Sequence, residues 1–340
     1  MKASVRSISE MTGFSPATVS NALNNKRGVS RETAEKILRA AREAGYFDGP
    51  GLQRLRLVVY QADGAVVNDS PFFARLMAGV EAECRRLKLE LITCHLQKGA
   101  PDYDARLAEL LEDSGAALLL LATEMEAGEA ARFRKAAGPV VVLDNWYEGL
   151  PFSAVLIDNT DGAFEAVSYL IGQGHSRIGH LQGKGQIKNF YYRRQGYLRA
   201  MAEHGLPVEP RYTVPLSTGM EQARADMAAW LASGAELPTA FFADNDMIAL
   251  GAMRALEQAG RQVPGEVSVV GFDDLPFCAI SSPPLTTVRV FNYEMGQAAV
   301  RRLLEIAGDG GGYRTKVQVT SAFVCRDSVR DLRDQGKAPG

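Results

Sequence analysis

Short apolar runs repeated along the chain constrain its fold more than any other feature. Five of them lie between residues 55 and 159: LRLVVYQ (55–61), ELITCHL (90–96), AALLLLAT (116–123), PVVVLDN (139–145) and SAVLIDN (153–159). Each has the length of a strand, and most lack the alternation of a strand with one wet face. Strands apolar on both faces are covered on both faces, which is the condition of a parallel sheet layered with helices. The amphipathic stretch FFARLMAGVEAECRRL (72–87) is one such helix. The pattern restarts near residue 160. FEAVSYLIGQG reads as helix, RIGHL (177–181) as strand, 190–204 as helix, YTVPL (212–216) as strand and 219–232 as helix. TAFFA (239–243), helix 246–259 and VSVVGF (267–272) follow. LTTVRV returns ahead of a long helix, 293–307; GDGGGY is expected to be a flexible loop, and TKVQVTSAFVCRDS reads as one closing strand. Two successive α/β units predict two doubly wound lobes with a cleft between them.

Residues 4–45 follow a different period. Val5, Ile8 and Met11 form one helical stripe, Val19 and Leu23 a second, and Ala34, Ile37, Leu38 and Ala41 a third. Gly13-Phe14-Ser15 makes a tight turn. Ser15 caps a helix that starts at Pro16, whose missing N–H costs nothing in a first turn. Ser30 caps the third helix, with Thr33 three residues on, and Gly45 ends it.

The second of these helices lies in GFSPATVSNALNNKRGVS (13–30) and is polar for a helix in a small bundle. A helix that enters the major groove needs short donors and acceptors on its outer face. Ser15, Pro16, Ala17, Thr18, Ser20, Asn21 and Asn24 form the expected DNA-facing set, with Val19 and Leu23 anchoring from behind. Asn21 is the natural base reader, because its amide pairs bidentately with adenine. Lys26, Arg27 and Arg31 neutralise phosphates. The charge distribution agrees: residues 1–56 hold ten Lys/Arg against five Asp/Glu, while the rest of the chain is net acidic. A basic head on an acidic body suits one domain that meets a polyanion and another that does not.

ISEMTGFSPATVSNALNNKRGVSRETAEKILRAAREAGY resembles the head of the lac repressor (LacI/GalR) family of bacterial transcription regulators. The resemblance continues in order through DSPFFARLMAGVEAEC, GHSRIGHL, RRQGYLRAMAEHG, TAFFADNDMIALGAMRALEQAG and VPGEVSVVGFDDLPFCAISSPPLTTVRV. It implies an all-α helix-turn-helix head on an α/β core of two parallel sheets, similar to periplasmic binding proteins. It also implies a small effector in the interlobe cleft and a homodimer on a near-palindromic operator. The expected boundaries are 1–47 for the head, 48–56 for a shortened linker, and 57–330 for the core ahead of a polar tail. The N-lobe takes 57–157 and 287–316; the C-lobe takes 158–286 and 317–330.

Strand ends line the cleft of such a fold. Asp144, Asn145 and Trp146 follow one run, Asn245 and Asp246 another, and Asp273 a third. The family match implies Arg193 as a ligand-clamping arginine, Asp273 and Asn245 as the cleft aspartate and cleft asparagine, and Phe72 and Phe73 as ligand borders. Carboxylates and amides at this density suit a hydroxyl-rich ligand, and the flat Trp146 can pack against the C–H face of a sugar. The expected effector set is therefore Phe72, Phe73, Asp144, Trp146, Arg193, Asn245 and Asp273. Asp246 reads equally as a helix cap, Phe72 and Phe73 as core, and Asp274 as a cap for the following turn.

Other chemistry finds little support. Cys84, Cys94, Cys278 and Cys325 form no CxxC pair and read as reduced thiols. GKGQIK (183–188) lacks the GK[ST] of a phosphate loop. His175 and His180 lack the companions of a metal site, and no cofactor is expected. The start MKASVRSISE has no apolar leader and no run is long enough to span a membrane, so a cytoplasmic protein is expected. The reading is a regulator, not an enzyme. Its rival is a carbohydrate-processing enzyme with an accessory DNA-binding head, which turnover of a bound sugar would reveal.

Two departures from the family pattern matter. Asn21 stands where a basic Arg is common. The linker is also short, with Gly49-Pro50-Gly51 between head and core and only LQRLR (52–56) available for a hinge helix. Short isolated helices are marginal in water, and Gly and Pro oppose a helical start. The chain is therefore expected to form no hinge helix of usual length and to insert no Leu wedge at the operator centre. Wedges kink the duplex, so operator bending measured by energy transfer should be small and unchanged by Leu52→Ala. A strong bend lost in that variant would contradict this.

Overall fold

The computed structural model describes residues 5–23, 29–43, 54–62, 64, 66–67, 70–308 and 313–333. In the head, α1 (Val5–Thr12), α2 (Pro16–Leu23) and α3 (Arg31–Glu43) close around Ile8, Val19, Ala22, Ile37 and Ala41. The turn after α1 places Gly13 at φ +73°, a conformation that favours glycine. Both serine caps form: Ser15 Oγ accepts from the Thr18 N–H and Ser30 Oγ from the Thr33 N–H, each at 3.2 Å. Two members of the expected stripes lie elsewhere. Met11 is 57% exposed, because six residues at 3.6 per turn carry it about 120° round from Val5. In α2 the second buried side chain is Ala22, while Leu23 is half-buried.

The first lobe begins with β1 (Arg54–Gln61), one residue before the expected run. Residues 44–53, which include most of the expected linker, lie outside the described residues. Arg54, Leu55 and Arg56 are strand, with Leu55 fully buried, so those three cannot belong to a hinge helix. The lobe continues through α4 (Pro71–Leu87), β2 (Glu90–Gln97), α5 (Tyr103–Glu112), β3 (Ala116–Leu121), α6 (Ala127–Arg132), β4 (Val140–Leu143) and β5 (Ser153–Ile157). The second lobe contains α7 (Asn159–Gly172), β6 (Ile178–Gly183), α8 (Lys188–Glu203), β7 (Thr213–Leu216) and α9 (Met220–Ala232). It continues with β8 (Ala240–Ala243), α10 (Asp246–Gln258), β9 (Ser268–Val270) and α11 (Phe277–Ile280). The chain returns through β10 (Thr287–Val290) to α12 (Asn292–Gly308), then closes with β11 (Lys316–Val319) and β12 (Ser321–Val324).

The first sheet has the order β11-β5-β4-β3-β1-β2 and the second β7-β6-β8-β9, with every pairing parallel. The expected single closing strand is instead two. β11 pairs with β5 in the first sheet, whereas β12 runs antiparallel to β10, because the chain changes lobe at Thr320 between them. The N-lobe return segment therefore starts after β10, near 291 rather than at 287, and reaches Val319 rather than 316. Helices α4 and α12 approach so closely that a Cβ on Gly79 would sit 2.0 Å from the Tyr293 carbonyl oxygen, and one on Gly296 would sit 2.3 Å from that of Leu76. Only glycine permits that contact.

Both sheets wind outward from their first strand: β1 lies between β2 and β3, and β6 between β7 and β8. Each winding reverses there and opens a crevice at the carboxyl ends of the strands. Loops after β1 and β3 thus come to face loops after β6 and β8 across the seam between the lobes. Among the described residues no helix is long and apolar enough to cross a membrane.

Candidate effector site and DNA-facing helix

The loops from the two reversals enclose a seam cavity of about 20 Å3. Of the expected effector residues, Phe72, Phe73, Asp144, Arg193, Asn245 and Asp273 all line it. Phe72 and Phe73 are both buried and meet edge to face with centroids 5.2 Å apart, so they serve the core and the cavity at once. Asn245 also has two roles. Its Oδ1 caps α10 by accepting from the Ile248 N–H at 2.8 Å, while the residue borders the cavity.

A continuous polar chain crosses the seam. Thr123 Oγ1 donates to Asp144 at 2.6 Å, and Asn189 Nδ2 donates to both Asp144 carboxylate oxygens at 3.0 Å. Asn159 Nδ2 donates to Asn189 Oδ1 at 2.9 Å, and Asn159 Oδ1 accepts from Arg193 Nε at 2.9 Å. Arg193 Nη2 reaches Asp273 Oδ1 at 3.1 Å, and Nη1 donates to the Asp244 carbonyl. The guanidinium also lies 3.9 Å from the centroid of the Phe272 ring. Thr123 and Asp144 belong to the first lobe; Asn189, Arg193 and Asp273 belong to the second.

Asp144 and Asp273 sit at φ 64° and 119°, where non-glycine residues are strained by about 1–3 kcal/mol. Each follows a strand end and turns its carboxylate into the seam. Burial pushes the Asp144 carboxyl upward. Burial likewise pushes Asp273 up to about 7; Arg193 pulls against this, and the Asp246 and Asp144 charges add to it. A carboxylate raised on folding holds a proton the unfolded chain has already lost, so Asp273 opposes folding increasingly as pH rises from about 4 to about 7.

Several neighbours have other work. Asp246 is fully buried and accepts from the Leu275 N–H at 2.8 Å and Thr287 Oγ1 at 2.5 Å. Asp274 pairs with Arg289 and Arg326 at 2.7 and 2.6 Å, so it is an ion-pair bridge rather than a turn cap. Asn145 donates to the carbonyls of Ala122 and Met125. His175 is held by Thr239 and the Arg330 carbonyl, and His180 by Asp244.

Trp146 does not join the Arg193–Asp273 cluster. It lines a second cavity of about 210 Å3 with Asn159, Lys188, Tyr192, Lys316 and Gln318, and the two cavities share Ile157 and Asn189. Sequence reasoning also missed Val66, Ser70, Thr123, Ile187, Asn189 and Phe190 in the seam. Asn189 was findable, since it lies four residues before Arg193 on one helical face. GKGQIK, set aside as a nucleotide loop, delivers Ile187 and Lys188. The loop bearing Val66 is held by Glu124, whose carboxylate accepts from the N–H groups of Ala62, Gly64, Val66 and Val67 at 2.8–3.1 Å.

In the head, Ser15, Pro16 and Ala17 are exposed and Thr18, Ser20 and Asn21 half-exposed, with Ala17, Ser20 and Asn21 on the side of α2 away from Val19 and Ala22. Among the described residues the Asn21 side chain makes no hydrogen bond. Arg31 begins α3. Asn24, Lys26 and Arg27 lie outside the described residues.

Residues 5–48 match the bacterial regulatory proteins of the lacI family, and residues 167–329 match a periplasmic binding protein-like domain. The HTH-type transcriptional repressor PurR of Photobacterium profundum is 30% identical over 97% of this chain and 99% of its own. The ribose operon repressor of Haemophilus influenzae is also 30% identical, over 97% and 100%. A solved complex of the transcriptional regulator CelR with cellobiose aligns at TM-score 0.73 and 25% identity, covering 96% of this chain and 100% of that one.

Arg193→Met removes the donor shared by Asp273, Asn159 and the Asp244 carbonyl inside a buried site. Urea denaturation should show a loss of about 3–5 kcal/mol. Asp273→Asn keeps an oxygen for the guanidinium and relieves the crowding of carboxylates, so its loss should be clearly smaller. Equal losses in the two variants would mean that Asp273, not the rest of the cluster, carries the cost.

Proposed function

The chain belongs to the lacI family of bacterial regulatory proteins, and on that premise we propose a repressor whose hold on operator DNA is set by a hydroxyl-rich ligand in the seam. The ligand is a sugar or sugar derivative. The polar chain from Thr123 to Asp273 carries this reading, because it concentrates acceptors and donors from both lobes around one small cavity. Ligand hydroxyls can take over the bonds that Asn189, Asp144, Arg193 and Asp273 now make to one another. The relative named as a ribose operon repressor and the cellobiose complex support a carbohydrate.

The mechanism is linkage. A seam this small admits a sugar ring only if the lobes part, so ligand and lobe angle are coupled. In a homodimer on a near-palindromic operator, lobe angle sets the spacing of the two heads. Such a protein acts in the cytoplasm, where the DNA is. The seam carboxylates are already engaged by Thr123, Asn189 and Arg193, which suits retention of a ligand rather than acid–base turnover. A thermal-shift screen of sugars identifies the effector, since a ligand at 100 times its Kd adds about 2.7 kcal/mol. Unchanged sugar after prolonged incubation separates the regulator from the carbohydrate-processing enzyme.

Asn21 reads a base from the outer face of α2. Asn21→Ala should weaken operator binding by about 1–3 kcal/mol and relax preference at one position per half-site. Sequence selection that returns the same consensus for variant and wild type would remove Asn21 from the readout.

Asp273 makes effector binding depend on pH. A ligand hydroxyl donates to the charged carboxylate, so binding lowers the raised pKa of Asp273 and releases a proton. Affinity should therefore rise between about pH 5 and 7 and level off above. Calorimetry in buffers of different ionisation enthalpy measures the release. Asp273→Asn should flatten the profile and leave operator binding intact. Proton release that persists in that variant would assign it to another group.

A further inference from the structure

The second cavity has a chemistry the seam lacks. Lys188 Nζ lies 4.3 Å and Lys316 Nζ 3.2 Å from the centroid of the Trp146 ring. Two ammonium groups share one indole, and among the described residues neither forms an ion pair with a carboxylate. Glu148 acts on Lys188 electrostatically, but no ion pair joins them. Lys188 makes one hydrogen bond, to the Trp146 carbonyl, and is partly buried, so burial and the Lys316 charge both lower its pKa. Like charges gathered beside a ring repel each other, and an anion between them relieves that repulsion.

The backbone adds to the field. Lys188 and Asn189 begin α8 and line this cavity; Asn159 and Thr160 of α7 line it too, but Asp158 and Asp161 occupy the start of α7, so the field comes from α8. Helix N-termini carry partial positive charge and free N–H groups. No acidic residue stands in the first turn of α8, and its cap residue, Ile187, offers no side-chain acceptor. No carboxylate lines the cavity, whose about 210 Å3 gives room for a tetrahedral anion. Tyr192 stacks on Trp146 at 6.4 Å and closes one side.

We propose that this cavity takes a phosphate group, held between Lys188 and Lys316 beside Trp146. The inference rests on the seam as effector site and narrows the effector: Ile157 and Asn189 border both cavities, so one phosphorylated sugar can place its ring in the seam and its phosphate here. Lys188 and Lys316 then distinguish a sugar phosphate from its parent sugar.

The chain has two tryptophans, so Trp230→Phe leaves Trp146 as the sole emitter. Titrating inorganic phosphate at constant ionic strength should give a saturable change in emission. Lys316→Gln, at an exposed position, should weaken it about tenfold or more through loss of a charge-assisted contact, and Lys188→Gln/Lys316→Gln should abolish it. A response that never saturates, or that is equal in both variants, overturns the site. Ribose-5-phosphate, compared with ribose plus free phosphate, identifies the source. Tighter binding of the ester, lost in the double variant, supports one ligand across both cavities; equal affinity for ester and free ion overturns that bridge. Melting shifts with neutral sugars test the seam separately, so a neutral sugar that binds without any phosphate preference refutes this inference and leaves the effector reading standing.

Discussion

Arg193 holds a full positive charge at 3% exposure between two lobes. Such a charge survives only where its donors are met and a counter-charge is near. The second lobe supplies Asp273 and the Asp244 carbonyl, the start of α7 supplies Asn159, and Phe272 offers its ring face. Each of these sits at a strand end or helix start of the second lobe, so the arginine is satisfied within that lobe once its sheet places its carboxyl ends at the seam. Its chain of contacts then runs through Asn189 to Asp144 and reaches the first lobe. In this chain the Asn189–Asp144 bonds span the lobes, so a change of lobe angle requires them to be remade, with water or with a ligand.

The aspartates show what the fold asks of its backbone. Strands β4 and β9 are followed by residues at positive φ, Asp144 directly after β4 and Asp273 three residues beyond β9. Glycine would be less strained there but would bring no carboxylate. Asp is among the non-glycine residues that tolerate the region best. Burial of those carboxylates raises their pKa values, and Arg193 partly offsets this at Asp273. The neighbouring aspartates share these costs, Asp274 sitting at φ 55° and Asp246 being raised by burial, but they are engaged in holding loops.

The architecture was legible because apolar runs and helical stripes report burial directly. The strands of AALLLLAT and TAFFA lie where their runs do, and Ser15 and Ser30 cap as their spacing implies. The closing segment was not legible: TKVQVTSAFVCRDS reads as one extended stretch, and nothing local marks Thr320 as the point where the chain changes sheets. Partner choice is a long-range property. The lining of the seam cavity was largely legible, since polar residues after apolar runs fall at a crevice. Thr123 and Asn189 escaped because hydroxyl and amide positions acquire meaning only from the partner they meet, here Asp144. Trp146 follows the same strand as Asp144 but points to the neighbouring cavity, a difference that position in the run does not encode.

Three segments join the lobes, near residues 158, 291 and 320, and they restrict relative motion to a hinge. Asp158 N–H bonds the Val319 carbonyl at 3.1 Å, and Asn292 Nδ2 bonds the Phe72 carbonyl at 3.0 Å, so the crossovers are tied to each other and to the start of α4. The Trp146 cavity lies across this hinge: Lys316 and Trp146 belong to the first lobe, Lys188 and Tyr192 to the second. A group bound between them resists one lobe angle and favours another, as a group in the seam does. The head needs little from either. A preference of 1.4 kcal/mol between two lobe arrangements changes their ratio tenfold, and in a dimer the two heads feel the change together. Two adjoining cavities on one hinge therefore give the chain two chemical handles, hydroxyl and anion, on a single conformational coordinate.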